Sequence, residues 1–155
     1  RVCLVGGSYG GYAALMGAVK TPELYRCAVS FAGVTDLPDL IAHKSEYIGG
    51  RARAEETIGA AWGDREQLRA TSPARQAERI RVPVLLVHGT ADRSVPVEQS
   101  ADMAKALKRA GKPYRYIEQE GGDHYLSRYE HRLEFFQALE AFLDEHLGTP
   151  AAAAH

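Results

Sequence analysis

The stretch VCLVGGSYGGYAALMG, residues 2–17, runs from apolar residues through a glycine cluster into a segment rich in Ala, Leu and Met. Val2–Val5 is short and continuously apolar, the pattern of a strand buried on both faces of a parallel sheet. Tyr9–Val19 reads as a helix, stopped near Thr21–Pro22. Ser8 stands at the bend between them, flanked by Gly6, Gly7, Gly10 and Gly11, so the backbone turns sharply around one hydroxyl.

Outward from that bend, the chain keeps alternating. Cys27–Phe31 (CAVSF) is a second β-type run, closed by Gly33. Residues 35–75 are mixed and polar, with Gly49–Gly50, Trp62–Gly63 and Ser72–Pro73, and read as a helical excursion with loops. VPVLLVHG (82–89) has a proline start, an apolar centre and a glycine stop, which makes it the clearest strand in the chain. Val97–Ala110 fits an amphipathic helix with Met103, Ala104 and Leu107 on one side and Gly111 past its end. YRYIEQ (114–119) is a further strand, and Tyr129–Leu147 a final helix with Leu133, Phe136, Leu139 and Leu143 at helical spacing. The tail GTPAAAAH has nothing to pack and is expected to fray. No internal repeat is present.

Such alternation implies a parallel sheet with right-handed crossovers and helices on its faces, a three-layer α/β/α arrangement. Ligands of these sheets gather beyond the carboxyl ends of the strands. Three loops lie there, carrying Ser8, Asp92 and His124.

Composition bounds the function classes. A chain of 155 residues fits one domain, and its formal net charge of -1 leaves no basic excess for a nucleic-acid footprint. No apolar run approaches the ~18–20 residues of a membrane span. Cys3 and Cys27 lie in separate apolar runs without metal or redox spacing, and are expected to be buried free thiols. No cluster has metal-ligand spacing, so no metal or other cofactor is expected. The sequence starts at Arg1, one residue before a strand and without an initiator methionine, and reads as a C-terminal piece of a longer chain. Compartment is left open, with the cytoplasm as default.

GGSYG at 6–10 fits the G-x-S-x-G elbow, with a strand before and a helix after it. Glycines suit the bend because a Cβ beside the serine would collide with strand and helix. The helix start aims free N–H groups and its positive dipole end at the same place, and the N–H of Tyr9 is a candidate oxyanion donor. A phosphate cradle is the alternative for such a turn, but neither GxGxxG nor a GK[ST] ending is present. A serine hydroxyl needs a base. Of six histidines, His146 and His155 are terminal, His43 and His131 fall on predicted helical or polar surface, and His88 ends a buried strand, where a backbone-bonded structural role fits. His124, in EGGDHYLS, sits on a loop where an imidazole is reachable. Asp92, in HGTADRSVP, can orient it, whereas Asp123 is too close in sequence and reads as surface or loop-capping. The order Ser8, Asp92, His124 is the one associated with α/β-hydrolases.

GGSYGGY (6–12), VPVLLVHGTADRSVP (82–96) and GGDHYLSR (121–128), with TPELYRCAVSFAGVTDL (21–37) and TSPARQAERIRVPVLLVHG (71–89), resemble the catalytic domain of the prolyl oligopeptidase family of serine peptidases. The likeness is strongest to the acylaminoacyl-peptidase and dipeptidyl-peptidase branch, and covers about residues 1–147. It implies the C-terminal half of an α/β-hydrolase sheet over 1–147, beyond which 148–155 is expected to be a disordered tail. It implies cleavage of short peptides through an acyl-enzyme, and an upstream β-propeller in the same parent chain as partner. By the resemblance, Ser8 is the nucleophile, Asp92 the orienting acid, His124 the general base and Tyr9 the oxyanion position. Tyr12 and Val34 match pocket-lining positions, with Val95 near the same rim; ordinary core packing is the alternative. Leu37, Leu40 and Lys44 stand where the dipeptidyl branch presents aromatics, which counts against proline-directed dipeptide removal. Tyr125 replaces a glycine often found after the histidine. The upstream oxyanion donor would precede Arg1, so the isolated polypeptide is expected to be poorly active and prone to aggregate. A carboxylic-ester hydrolase with the same three residues, or a non-catalytic module on this scaffold, are the alternatives.

Overall fold

Continuous apolar runs become the strands of a parallel sheet because neither face of such a strand meets water. The computed structural model describes residues 2–45, Ala52, Ile58 and 64–148. Within them, β1 (Cys3–Gly7), β2 (Cys27–Phe31), β3 (Val84–Gly89) and β4 (Tyr114–Gln119) pair in parallel in the order β1-β2-β3-β4. β2 and β4 occupy the expected spans, while β1 runs on through Gly7 to the bend itself.

Helix α1 (Tyr9–Lys20) links β1 to β2. Between β2 and β3 lie α2 (Leu37–Lys44), α3 (Arg65–Ala70) and a 3-10 segment, Pro73–Arg79. Helix α4 (Glu98–Arg109) links β3 to β4, and α5 (Tyr129–Leu147) follows β4. Asp36 caps α2 by accepting the amide of Asp39 at 3.2 Å. The expected turns at Gly49–Gly50 and Trp62–Gly63 lie outside the described residues, as do Arg1 and residues 149–155 of the tail.

Strand alternation divides the core into two layers. Ala28, Val84 and Leu86 face α1 and α4, where they pack with Leu15, Val19, Met103 and Leu107. Cys27, Val29, Phe31, Leu85 and Val87 face the other way, against Phe135 and Phe142 of α5. Burying a Leu, Val or Phe side chain contributes roughly 1.5–3 kcal/mol, so both layers help hold the carboxyl ends of the strands in place. Met103, Ala104 and Leu107 are buried as their spacing predicts, and Gly111 follows α4 at φ +66.

Two expectations are corrected. The stripe Leu133, Phe136, Leu139 and Leu143 is only half buried: Leu139 and Leu143 pack against the core beside Phe135 and Phe142, while Leu133 and Phe136 are 42% and 56% exposed. The helix is apolar on more than one side, so spacing alone does not select the packed face. Cys3 and Cys27 are not free thiols but a disulfide. They are directly opposite in the β1–β2 register, with Cα atoms 4.6 Å apart and both side chains on the α5 face.

Candidate active site

The bend after β1 is built by steric necessity. A Cβ on Gly6 would stand 2.1 Å from the carbonyl oxygen of Gly10, so strand end and helix start approach too closely for any side chain there. Ser8 between them takes φ 55, a left-handed conformation that few non-glycine residues adopt. Its amide donates to the carbonyl of Phe31 at 2.8 Å, which ties the bend to the end of β2. Gly10 itself has open space around its Cβ direction, so the expected clash holds for Gly6 and not for Gly10.

The other two loops are bound to each other. Gly89 ends β3 against Gly122, and across this contact Ala91 donates its amide to the carbonyl of Gly122 at 2.8 Å. Thr90 donates to the carbonyl of Gln119 at 2.9 Å and accepts the amide of Gly121 on its hydroxyl at 2.7 Å. These bonds bring the loop carrying Asp92 beside the loop carrying His124.

The three loop side chains meet. His124 Nε2 lies 3.0 Å from Ser8 Oγ, and His124 Nδ1 lies 2.7 Å from Asp92 Oδ2. The Asp92 side chain is fully buried and the His124 ring is 12% exposed. Asp92 Oδ1 accepts the amides of Ser94 and Val95 at 2.8 and 2.9 Å. Burial alone would raise the Asp92 carboxyl. Hydrogen bonds from His88, the Val95 amide, His124 and the Ser94 amide outweigh it and hold the group well below the ordinary carboxylate range. An ionised acceptor at Nδ1 puts the ring proton there and leaves the Nε2 lone pair for the serine hydroxyl. A hydroxyl so placed can lose its proton as it attacks a carbonyl carbon.

Asp123 points elsewhere: it is half-buried and accepts the amides of Tyr125 and Ser127, a loop cap as expected. His43 lies on α2, His131 and His146 lie on α5, and His155 is outside the described residues. His88 is buried and bonded to the Val95 carbonyl, as expected, yet its Nε2 also lies 3.3 Å from Asp92 Oδ2. That second contact escapes sequence reading; the i, i+4 spacing within HGTAD was its only signal.

Helix α1 starts immediately after Ser8, and its first-turn N–H groups, Tyr9 included, have no carbonyl partner within the helix. The Tyr9 ring is 75% exposed and lies 5.6 Å from the Tyr12 ring. Val34 and Val95 are buried with Leu40, and Tyr12, Leu37 and Ile58 pack against them. The Tyr125 ring stands edge-on to His124 at 5.3 Å. Lys44 Nζ donates to the carbonyl of Ser94 at 2.8 Å and so supports the Asp92 loop. Among the described residues no group of His, Cys, Asp or Glu could hold a metal ion, and no helix is long and apolar enough to cross a membrane.

Residues 1–150 match the model of the prolyl oligopeptidase family. The chain is 30% identical over 154 residues to dipeptidyl aminopeptidase BIII of Pseudoxanthomonas mexicana, covering 96% of this chain and 22% of that protein. It is 28% identical over 158 residues to the acylamino-acid-releasing enzyme of Rattus norvegicus, covering 96% and 21%. Among solved structures it is similar to a puromycin-hydrolyzing peptidase of Mycobacterium tuberculosis, with TM-score 0.83, 31% identity and coverage of 97% and 22%. The sheet and its flanking helices are thus those of an α/β-hydrolase, and the chain spans about a fifth of the length of the curated relatives it matches.

Proposed function

Because the chain belongs to the prolyl oligopeptidase family, we propose that it carries the reacting residues of a serine peptidase acting on short peptides. The observation that supports this most directly is the run of contacts Ser8 Oγ to His124 Nε2 and His124 Nδ1 to Asp92 Oδ2.

In this reading Ser8 Oγ attacks the scissile carbonyl carbon while His124 Nε2 takes the hydroxyl proton. Asp92 holds the imidazole in the required tautomer and stabilises the imidazolium without itself taking the proton. The developing oxyanion is met by the Tyr9 N–H at the positive end of α1. The C–N bond then breaks, and the leaving amine takes the proton from His124. An ester remains on Ser8. Water enters, loses a proton to the same imidazole and releases the acid, which restores the hydroxyl. Tyr12, backed by the buried Val34 and Val95, forms the apolar surface toward the substrate side chain with the exposed Tyr9 and Tyr125, which follow Ser8 and His124 in the chain. That the chain spans about a fifth of its curated relatives supports a further oxyanion donor, and a domain that limits access, in the upstream part of the same parent chain.

The names of the relatives, for enzymes releasing dipeptides or acylamino acids, favour peptide over ester substrates. The test uses the full-length protein containing this chain. A fluorophosphonate should label Ser8, and an aminoacyl anilide should be hydrolysed. Hydrolysis of a short-chain ester alone would replace the peptidase reading by an esterase one. An unlabelled Ser8 would overturn both.

A further inference from the structure

His88 sits at the end of β3, fully buried, with both ring nitrogens engaged. Its Nε2 lies 3.0 Å from the Val95 carbonyl oxygen and 3.3 Å from Asp92 Oδ2. Both of those oxygens only accept, so Nε2 carries the proton. Nδ1 lies 2.7 Å from Ser100 Oγ on α4, and in the neutral ring it accepts that hydroxyl's proton.

We propose that His88 is a positioning residue, whose Nε2–H, shared between the Val95 carbonyl and Asp92 Oδ2, keeps that oxygen turned toward His124. The role rests on the serine-hydrolase reading above and adds a second imidazole to it. Asp92 Oδ1 is pinned by the amides of Ser94 and Val95. A carboxylate held by one oxygen can still pivot about it. Oδ2 is held by two imidazoles, His124 on one loop and His88 from the strand itself. Strand parity places His88 on the same face as Val84 and Leu86, toward α4. Ser100 then fixes the far side of the ring, so the aim of Asp92 is referred to the strand and to α4, not to its loop alone. A side chain that only filled this space would need no N–H directed at Asp92.

The test uses the full-length protein with His88→Leu, which removes both ring nitrogens, and His88→Gln, which keeps a donor at the end of the side chain. Turnover of an aminoacyl anilide is normalised to sites labelled by fluorophosphonate, so that unfolded molecules drop out. The low-field proton resonance of His124 Nδ1–H is recorded in parallel. His88→Leu should lower kcat by roughly 10- to 100-fold with KM unchanged, and should shift or broaden that resonance. His88→Gln should recover most of both. If the His88 variants do not fold, Ser100→Ala, which frees the far side of the ring, should move the same resonance to a smaller extent. An unmoved resonance in His88→Leu, or in Ser100→Ala where the His88 variants do not fold, overturns the positioning role. So do equal losses in the Leu and Gln variants. The resonance reads the contact without turnover, so a wild-type protein that takes no fluorophosphonate overturns the hydrolase reading separately.

Discussion

A β-carbon on Gly89 would stand 2.2 Å from the carbonyl oxygen of Gly122, so the end of β3 and the loop after β4 touch backbone to backbone. Asp92 follows the first of these glycines by three residues and His124 follows the second by two. Their 2.7 Å contact therefore depends on this approach. Gly89→Ala must push the two segments apart, because the obstructing atoms are backbone and cannot rotate away. Overpacking of this kind typically costs about 1–3 kcal/mol. A displacement near 1 Å at the imidazole can cost ~100-fold in rate. Denaturant unfolding and anilide turnover of the full-length variant should show both losses. A variant with wild-type turnover would mean that the loops do not depend on the contact.

Asp92 and Asp123 are both candidate partners for His124, and their surroundings separate them. Asp92→Asn should lower kcat by ~10⁴ because the amide favours the wrong imidazole tautomer. Asp123→Asn should change little, since the remaining amide oxygen can still accept the Tyr125 and Ser127 amides. Steady-state kinetics of the two variants decide it. A large loss from Asp123→Asn with Asp92→Asn unimpaired would reverse the roles proposed here.

The strands were legible because doubly buried strands are continuous apolar runs, and Val84–Val87 between a proline and a glycine leaves little else to read. The three loops were legible from their place after strands. What escaped depends on register and rotation. Cys3 and Cys27 face each other only because β1 and β2 pair without offset, which neither run encodes by itself. The packed face of α5 centres on Phe135 and Phe142, with Leu139 and Leu143 beside them, because the sheet presents Phe31 and Val87 there, and a helix apolar on several sides cannot announce that choice. His88 reads as structural until the loop after β3 turns Asp92 back onto it.

The Cys3–Cys27 bond closes a sequence separation of 24 residues, and in the chain-entropy description a loop of that size stabilises by about 3–4 kcal/mol. It also ties β1, which leads into Ser8, to the centre of the sheet. Replacing both cysteines by alanine should lower the unfolding midpoint of the full-length protein, and reductant should lower that of the wild type but not of the variant. Two titratable thiols at these positions in the native oxidised protein would show that the bond does not form.

Asp92 also gives the fold a pH dependence whose sign can be stated in advance. Its carboxyl titrates lower in the folded chain than in the unfolded one, where about 3.9 applies. Between those values the unfolded state binds the proton more readily, so stability rises with pH there. The contribution is fully present above about pH 4 and is lost as the pH falls through the lower, folded value. The side-chain amide introduced by Asp92→Asn cannot titrate, so the stability difference between wild type and this variant, compared over the acid range alone, reads the carboxyl and not the two imidazoles bonded to it. Other shifted carboxyls, such as Asp123, are common to both proteins and cancel in the difference. Denaturant unfolding at stepwise lower pH through the acid range should show the wild-type advantage shrinking as the pH falls below about 4. A difference that stays constant down the acid range would mean that the hydrogen bonds from His88, His124 and the two amides do not hold Asp92 as its anion.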